Sequence, residues 1–278
     1  MKYGLQVLRP VIRGVLVKLG DYKFPYPPRM RDKVDRWRAY KQHLVLNNQL
    51  FAHSAPVYTS GGYWRLEPMP TSQQLDLYYE TSYWFARGQP GALVSERDLA
   101  HLRFLTESDV LAQATNGQPA FLNFGSGHGG ISYVMRMLGF DITNIDQFPS
   151  DQTWFRHLPN LSLVDGPIHI AYASHSLEHV PNIESTIQDL LRVLAPGGFL
   201  FVEVPNSVHT NYSRLDQNGA RVPCLQVPHT HYFQKDFFRT LPLVTIQLGT
   251  YRYQGNKYGV ECVDDDGEVI RFLGRKSS

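Results

Sequence analysis

Apolar positions along this chain follow two periods in turn. Near the start, Leu5, Leu8, Ile12, Val15, Leu16 and Leu19 fall on one helical stripe, with Lys2, Arg9, Arg13 and Lys18 mostly off it. Phe24-Pro25-Tyr26-Pro27-Pro28 stops that pattern, and helical spacing resumes from Arg29 to Phe51. Residues 57–69 have no clear period and contain a Gly61-Gly62 break. Thr71 or Ser72 is placed to cap a helix carrying Leu75, Tyr78, Tyr79, Tyr83, Trp84 and Phe85. From about residue 90, short apolar runs alternate with amphipathic ones. These predict strands at 120–124, 141–146, 168–174 and 198–204, with helices from Ile131 to Leu138 and over 182–194. Little chain separates the second and third of those strands, so an intervening strand has to be short, and Leu161-Ser162-Leu163-Val164 fits. Tyr258–Val263 and Glu268–Phe272, joined by Asp264-Asp265-Asp266-Gly267, predict a terminal hairpin.

The run Phe121-Leu122-Asn123-Phe124 leads into three glycines at alternate positions, Gly125, Gly127 and Gly129, with Ser126 and His128 between them. Glycine permits a sharp turn and lets a ligand approach the main chain without a Cβ in the way. A helical segment, a second strand and the acid Asp146 follow. Strand, glycine turn, helix, strand and acid form the nucleotide-binding half of a doubly wound α/β sheet, with the acid placed to accept from ribose hydroxyls. The spacing is G-x-G-x-G. A dinucleotide fingerprint needs G-x-G-x-x-G to set a pyrophosphate on the helix N-terminus, so these glycines suit a nucleoside ligand without a pyrophosphate.

That stretch resembles motif I of the class I S-adenosylmethionine-dependent methyltransferases. Two more blocks extend the resemblance, Ser174-His175-Ser176-Leu177-Glu178-His179-Val180-Pro181 and Arg192-Val193-Leu194-Ala195-Pro196-Gly197-Gly198-Phe199-Leu200-Phe201-Val202-Glu203-Val204-Pro205-Asn206. Together they are similar to the branch that includes ubiquinone-type O-methyltransferases. The stretch from Pro68 to Trp84 resembles the lead-in of methyltransferases acting on sugars and other small molecules. The resemblance implies a Rossmann-like seven-stranded sheet with a C-terminal antiparallel hairpin, preceded by a helical basic extension. It divides the chain into an extension and lead-in over residues 1–89 and an S-adenosylmethionine-binding domain over 90–278. It also implies O-methylation of a small molecule or glycan. A 2′-O-type RNA methyltransferase and a catalytically silent S-adenosylmethionine-binding scaffold stand as alternatives.

Charge adds one feature that the motifs do not. Residues 1–42 hold eleven Lys and Arg against three Asp, a net of +8, while the remaining 16 basic and 22 acidic residues leave −6. A basic arm on an acidic body suits an anionic surface such as lipid headgroups, with nucleic acid the less favoured partner because no RNA-binding module is recognisable. A solvated helical face is the plain alternative. Cys224 and Cys262, far apart, argue against a disulfide framework and a cysteine zinc cluster. No apolar run is long enough to span a bilayer, and a cytoplasmic protein, peripherally membrane-bound at most, is expected.

The candidate cofactor contacts are Asn123, Gly125, Ser126, Gly127, Gly129, Asp146, Gln147 and His175. The resemblance implies an acidic residue where Asn123 stands, so its contact to the ligand's ammonium lacks a full charge. Asp165 is a candidate for the adenine amine. His175, Glu178 and His179 stand at i, i+3 and i+4, which puts them on one face of a helical turn, and His229 and His231 follow downstream. Their chemistry leaves three roles open. His175 or His179 is a general base; or His175, Glu178, His179 and His231 hold a divalent metal; or all are structural. Relatives that methylate vicinal hydroxyls, the small-RNA 2′-O-methyltransferases among them, hold an ion with Glu-x-x-Glu-His and a distant His. His175 in the first position would favour Zn²⁺, Fe²⁺ or Mn²⁺ over Mg²⁺. Residues 206–231, irregular and rich in Gly, Pro and Asn, are expected to form a lid or substrate loop.

Overall fold

A computed structural model describes residues 51, 53–79, 94–114, 119–147, 155–226, 228–254, 257–263 and 265–278. The basic arm of residues 1–42, the helix expected over most of 29–51, the boundary at 89 and 90, and Tyr83, Trp84, Phe85 and Phe148 lie outside them.

The first strands described are β1 (Ala55–Tyr58) and β2 (Tyr63–Glu67), paired antiparallel with Ala55 opposite Glu67. These residues were expected to be irregular. The Gly61-Gly62 break is the hairpin turn, with Gly62 at φ +80° and Gly62 N–H donating to Thr59 O at 3.3 Å. Helix α1 (Ser72–Tyr78) follows, capped as expected: Thr71 accepts from Gln74 N–H while the Gln74 side chain takes Thr71 N–H. Helices α2 (Glu96–Glu107) and α3 (Val110–Ala114) lead to β3 (Ala120–Phe124), α4 (Gly130–Met137), β4 (Asp141–Ile145), β5 (Arg156–Leu158) and β6 (Ile168–Ser174). Then come α5 (Ile183–Val193), β7 (Leu194–Pro205), β8 (Ser213–Leu215), β9 (Arg221–Pro223), β10 (His231–Phe233), α6 (Lys235–Arg239), β11 (Val244–Gln254), β12 (Lys257–Val263) and β13 (Val269–Arg275).

Among the described residues the central sheet has eight strands, in the order β12-β11-β13-β7-β6-β3-β4-β5. Strands β5, β4, β3, β6 and β7 run parallel, and β13, β11 and β12 continue antiparallel. It is the expected doubly wound sheet with one strand more than seven. Odd and even positions separate two apolar layers. Phe121, Ile170, Phe199 and Phe201 pack with Phe104, Leu105, Ile131 and Met135 of α2 and α4. Leu122, Ala171, Leu200 and Val202 pack on the other face with Ile183, Ile187 and Leu190 of α5 and Phe237 and Phe238 of α6.

Two sequence expectations are corrected. The short strand after β4 is Arg156–Leu158, whereas Leu161–Leu163 forms a single 3₁₀ turn. Pro159 cannot donate to a ladder, so pairing ends at Leu158 and Leu161 instead buries itself among the α5-side core. At the C-terminus, 257–263 and 269–275 do not pair with each other. The antiparallel hairpin is made by β11 and β12, and β13 inserts between β11 and β7 with Val269 opposite Pro205. The Asp-rich segment is thus a crossover rather than a tight turn. Asn206 braces it, its Nδ2 donating to Asp265 O at 3.1 Å and Gly267 O at 2.9 Å.

A separate three-stranded sheet joins distant segments. Strand β10 pairs antiparallel with β2, His231 opposite Arg65 and Phe233 opposite Tyr63. Within residues 206–231, expected to form a lid or substrate loop, β8 and β9 pair as a hairpin. Among the described residues no helix is long and apolar enough to cross a membrane.

Candidate active site

The parallel strands end on a cavity of about 790 Å³ lined by Asn123, Gly125–Gly129, Asp146, Gln147, His175 and His179, with Tyr79, Arg97 and Tyr172 also on its wall. The position is the carboxyl edge of the sheet, where open α/β sheets bind their ligands.

The glycine turn is built by β4. Gly125 and Ser126 N–H both donate to Ile145 O, at 2.8 and 3.1 Å. The next residue on β4's path, Asp146, turns its Oδ2 to accept from Gly127 N–H at 2.8 Å. Gly129 N–H donates to Ser126 O at 2.7 Å, and Gly129, at φ +67°, opens α4. Gly125 has no substitute: its φ is +68°, and a Cβ there would lie 2.4 Å from Ser176 Cβ. The cradle is therefore closed on one side by the segment that carries the histidines.

Asn123 is buried, its Nδ2 donating to Ser132 Oγ at 2.9 Å, and that hydroxyl donates to Asn144 Oδ1 at 2.7 Å. The chain of amides ties β3, α4 and β4 together beneath the cradle. His128 stands in the turn as expected, and burial lowers its pKa against a smaller opposing pull from Asp98. Asp165 does not reach the cavity. It lies at the surface with its carboxylate 3.3 Å from Arg156, because the loop after β5 is short.

After β6 the chain makes a single 3₁₀ turn, Leu177–His179. His175 enters it at φ +50°, held by its N–H donating to Glu203 O at 2.8 Å. Its ring lies between two carboxylates, with Nδ1 3.3 Å from Glu178 Oε1 and Nε2 3.4 Å from Glu203 Oε1. Burial lowers the His175 pKa and Arg97 adds to that, but Glu178 and Glu203 outweigh both and raise it overall. Burial likewise raises Glu178, yet His179 and His175 pull its carboxyl down to about 2.

The group the structure brings together differs from the expected metal set at two places, His175 and His231. Glu178, His179 and His229 bring ligand atoms within 4.8 Å of one another. His231 is not among them. It is buried beneath Tyr63, Nδ1 3.0 Å from Thr230 Oγ1, and burial drives its pKa to about 4. The cause is local. Thr230 N–H donates to Glu178 O at 2.8 Å, and its hydroxyl donates to Val180 O at 2.8 Å, pinning the 3₁₀ turn against β10. His229 precedes that pin and packs edge-on against His179 at 4.9 Å, whereas His231 follows it into the β2–β10 sheet. The sequence shows both histidines but not which side of the pin each takes.

A set of buried polar residues escaped sequence reasoning. Glu203 on β7 is fully buried, and its Oε2 accepts from His101 Nε2 at 2.8 Å and Arg271 Nε at 2.5 Å. The signal was present as one acid inside the apolar run Phe199–Val204, a position that a strand can keep only with partners.

A family model described as a methyltransferase domain matches residues 96–241. No curated protein matches the chain. Among solved structures, an S-adenosylmethionine-dependent methyltransferase from Mesorhizobium loti is 12% identical, with a TM-score of 0.43, over 61% of this chain and 98% of that one. The 1,6-didemethyltoxoflavin-N1-methyltransferase of Burkholderia thailandensis, solved with S-adenosylhomocysteine, is 13% identical at a TM-score of 0.44 over 80% and 99%. An S-adenosylmethionine-dependent methyltransferase from Clostridium acetobutylicum is 9% identical at 0.46 over 66% and 92%.

Proposed function

The chain belongs to the methyltransferase-domain family and is an S-adenosylmethionine-dependent methyltransferase, and from that premise we propose that it methylates a hydroxyl of a small molecule or glycan. The observation that carries the hydroxyl is the Glu178–His179–His229 cluster, whose His179 lines the same cavity as the glycine cradle. An alcohol is a poor nucleophile until its proton leaves, and these are groups that remove protons. S-adenosylmethionine supplies a methyl group on a sulfonium with a good leaving group, so the protein's task is alignment and deprotonation.

The residues divide that task. Gly125, Ser126, Gly127 and Gly129 present main chain to the amino-acid end of the ligand, and the α4 N-terminus favours its carboxylate. Asn123 lies beside its ammonium. Asp146 takes the ribose hydroxyls from a position already fixed by Gly127 N–H, and Gln147 flanks the adenine. His179 is the better base. Both ring nitrogens of His175 face carboxylates, whereas Glu178 Oε1, 3.8 Å from His179 Nε2, stabilises the imidazolium formed when His179 accepts the acceptor's proton. His175 then lies between two buried carboxylates that raise its pKa against burial and Arg97.

A second reading has its own observation. Neither oxygen of buried Glu178 accepts a well-formed hydrogen bond among the described residues, and one carboxylate with two imidazoles is a donor set that fits a first-row divalent ion. Such an ion would supply Lewis acidity, lowering the pKa of the acceptor hydroxyl.

Methylation of a library of hydroxylated metabolites, glycans and short RNAs, with and without chelator, tests both. Hydroxyl products that survive chelation support the base, and those abolished by it support the ion. Products methylated only on nitrogen or carbon would refute the proposal.

A further inference from the structure

Glu203 and Arg271 form a buried ion pair beside His175. Resting on the methyl-transfer reading of this site, we propose that Glu203 is a positioning residue that holds His175, and through it Glu178, in the arrangement the acceptor cluster needs.

Glu203 sits inside β7 with no exposed surface. Its Oε2 is occupied by His101 and Arg271. His101 is kept neutral, burial being the main cause, so its Nε2 donates to Glu203 and its Nδ1 accepts from Tyr172 OH at 2.6 Å. The Arg271 guanidinium lies over the Tyr251 ring at 4.3 Å, walled from water. With one oxygen so fixed, the other reaches across to the end of β6, 3.4 Å from His175 Nε2. Glu203 therefore grips His175 twice, by its backbone carbonyl to the His175 N–H and by its carboxylate to the ring. That double hold accounts for a histidine at φ +50°, a conformation that side chains enter only when the surroundings impose it. The opposite ring nitrogen meets Glu178, the residue shared with His179 and His229.

A pair such as Arg271–Glu203 is costly to bury, and apolar side chains of similar volume usually stabilise a core as well. A purely structural role leaves unexplained why one oxygen points at His175. A positioning role explains it.

The test uses full-length protein labelled with ¹⁵N-histidine. Wild type should show His175 Nε2 hydrogen-bonded, and a wild-type spectrum with a free His175 Nε2 overturns the proposal. In Glu203→Gln the His175 signals should shift and those of His179 and His229 should move with them. Because Glu203→Gln leaves Arg271 buried beside a neutral partner, the double variant Glu203→Gln with Arg271→Met is examined in parallel. For both, S-adenosylhomocysteine affinity by calorimetry should stay within about threefold of wild type, since the cradle and Asp146 are untouched. Unchanged His175 and His179 signals in a folded variant overturn the proposal. So does a parallel collapse of S-adenosylhomocysteine binding, which is what a structural role predicts. Neither readout needs the acceptor, so a wrong acceptor class fails in the methylation screen and leaves this result standing.

Discussion

Gly125→Ala separates two physical costs that the cradle avoids by using glycine. The first is conformational: at φ +68° a residue with a Cβ costs about 1–2 kcal/mol. The second is steric. The new Cβ would lie 2.4 Å from Ser176 Cβ, where carbon atoms prefer roughly 3.5–4.0 Å, so one segment has to move by more than about 1 Å. Overpacking of that kind costs about 1–3 kcal/mol. Together they amount to roughly 2–5 kcal/mol. A free loop can relax away from the strain, but a ligand must impose the cradle again, so the loss falls on binding. Even the lower bound predicts about a 30-fold weaker affinity for S-adenosylhomocysteine by calorimetry. Ser176→Gly removes the clashing Cβ and Oγ and leaves the Cα at 3.6 Å, an ordinary contact. The double variant should recover the steric part and keep the conformational part, a coupling of about 1–3 kcal/mol in a double-mutant cycle. Additive effects, with coupling below about 0.5 kcal/mol, would refute the contact, and wild-type affinity in Gly125→Ala would refute the cradle.

Three further outcomes are expected. Asp146→Ala should weaken S-adenosylhomocysteine at least about tenfold, since hydrogen bonds to a charged group contribute about 1.5–3 kcal/mol, while Asp146→Asn, which keeps an acceptor for Gly127 N–H, should fall between; equal affinities for all three proteins would remove Asp146 from the site. His231, held at about 4 from a reference of about 6.5, stays neutral in the folded chain while the unfolded chain takes up a proton. Its stabilisation is therefore full above pH 6.5 and is lost as pH falls towards 4, by roughly 3 kcal/mol at 1.36 kcal/mol per unit; urea unfolding at pH 7 and pH 4.5 should show that slope flattened in His231→Phe, and an unchanged slope counts against it. Deleting residues 1–20 should reduce sedimentation with anionic liposomes and spare S-adenosylhomocysteine affinity; full-length protein that ignores such liposomes would leave the arm without this role.

The parts of the site that were legible in the sequence are those fixed by short-range rules. Gly125, Gly127, Gly129 and Asp146 lie within one strand–helix–strand unit, where turn sterics and strand period settle geometry over some twenty residues. The Thr71 cap is equally local. What could not be read depends on pairings across long separations. The choice of His229 over His231 hangs on Thr230 bonding Glu178 and Val180, residues some fifty positions away. The grip on His175 joins His101, Glu203 and Arg271 from three separate elements. The insertion of β13 between β11 and β7 was hidden for a related reason. An Asp-Gly segment signals a turn, but it does not say which strands the turn separates.

The pairing of β2 with β10 makes the enzyme's working unit larger than the segment the family model recognises. That segment, residues 96–241, holds the whole cradle but not Tyr63–Glu67, the strand against which His231–Phe233 is laid. Leu66 N–H donates to Thr230 O at 2.9 Å, on the same residue that pins Glu178. A clone trimmed to residue 96 onwards would keep the glycine cradle and Asp146 but lose Tyr79 from the cavity wall and the strand that backs Thr230. Supplying residues 51–79 as a separate peptide would then be fragment complementation, with a β-strand as the missing piece and methyl transfer as the sign that it has docked.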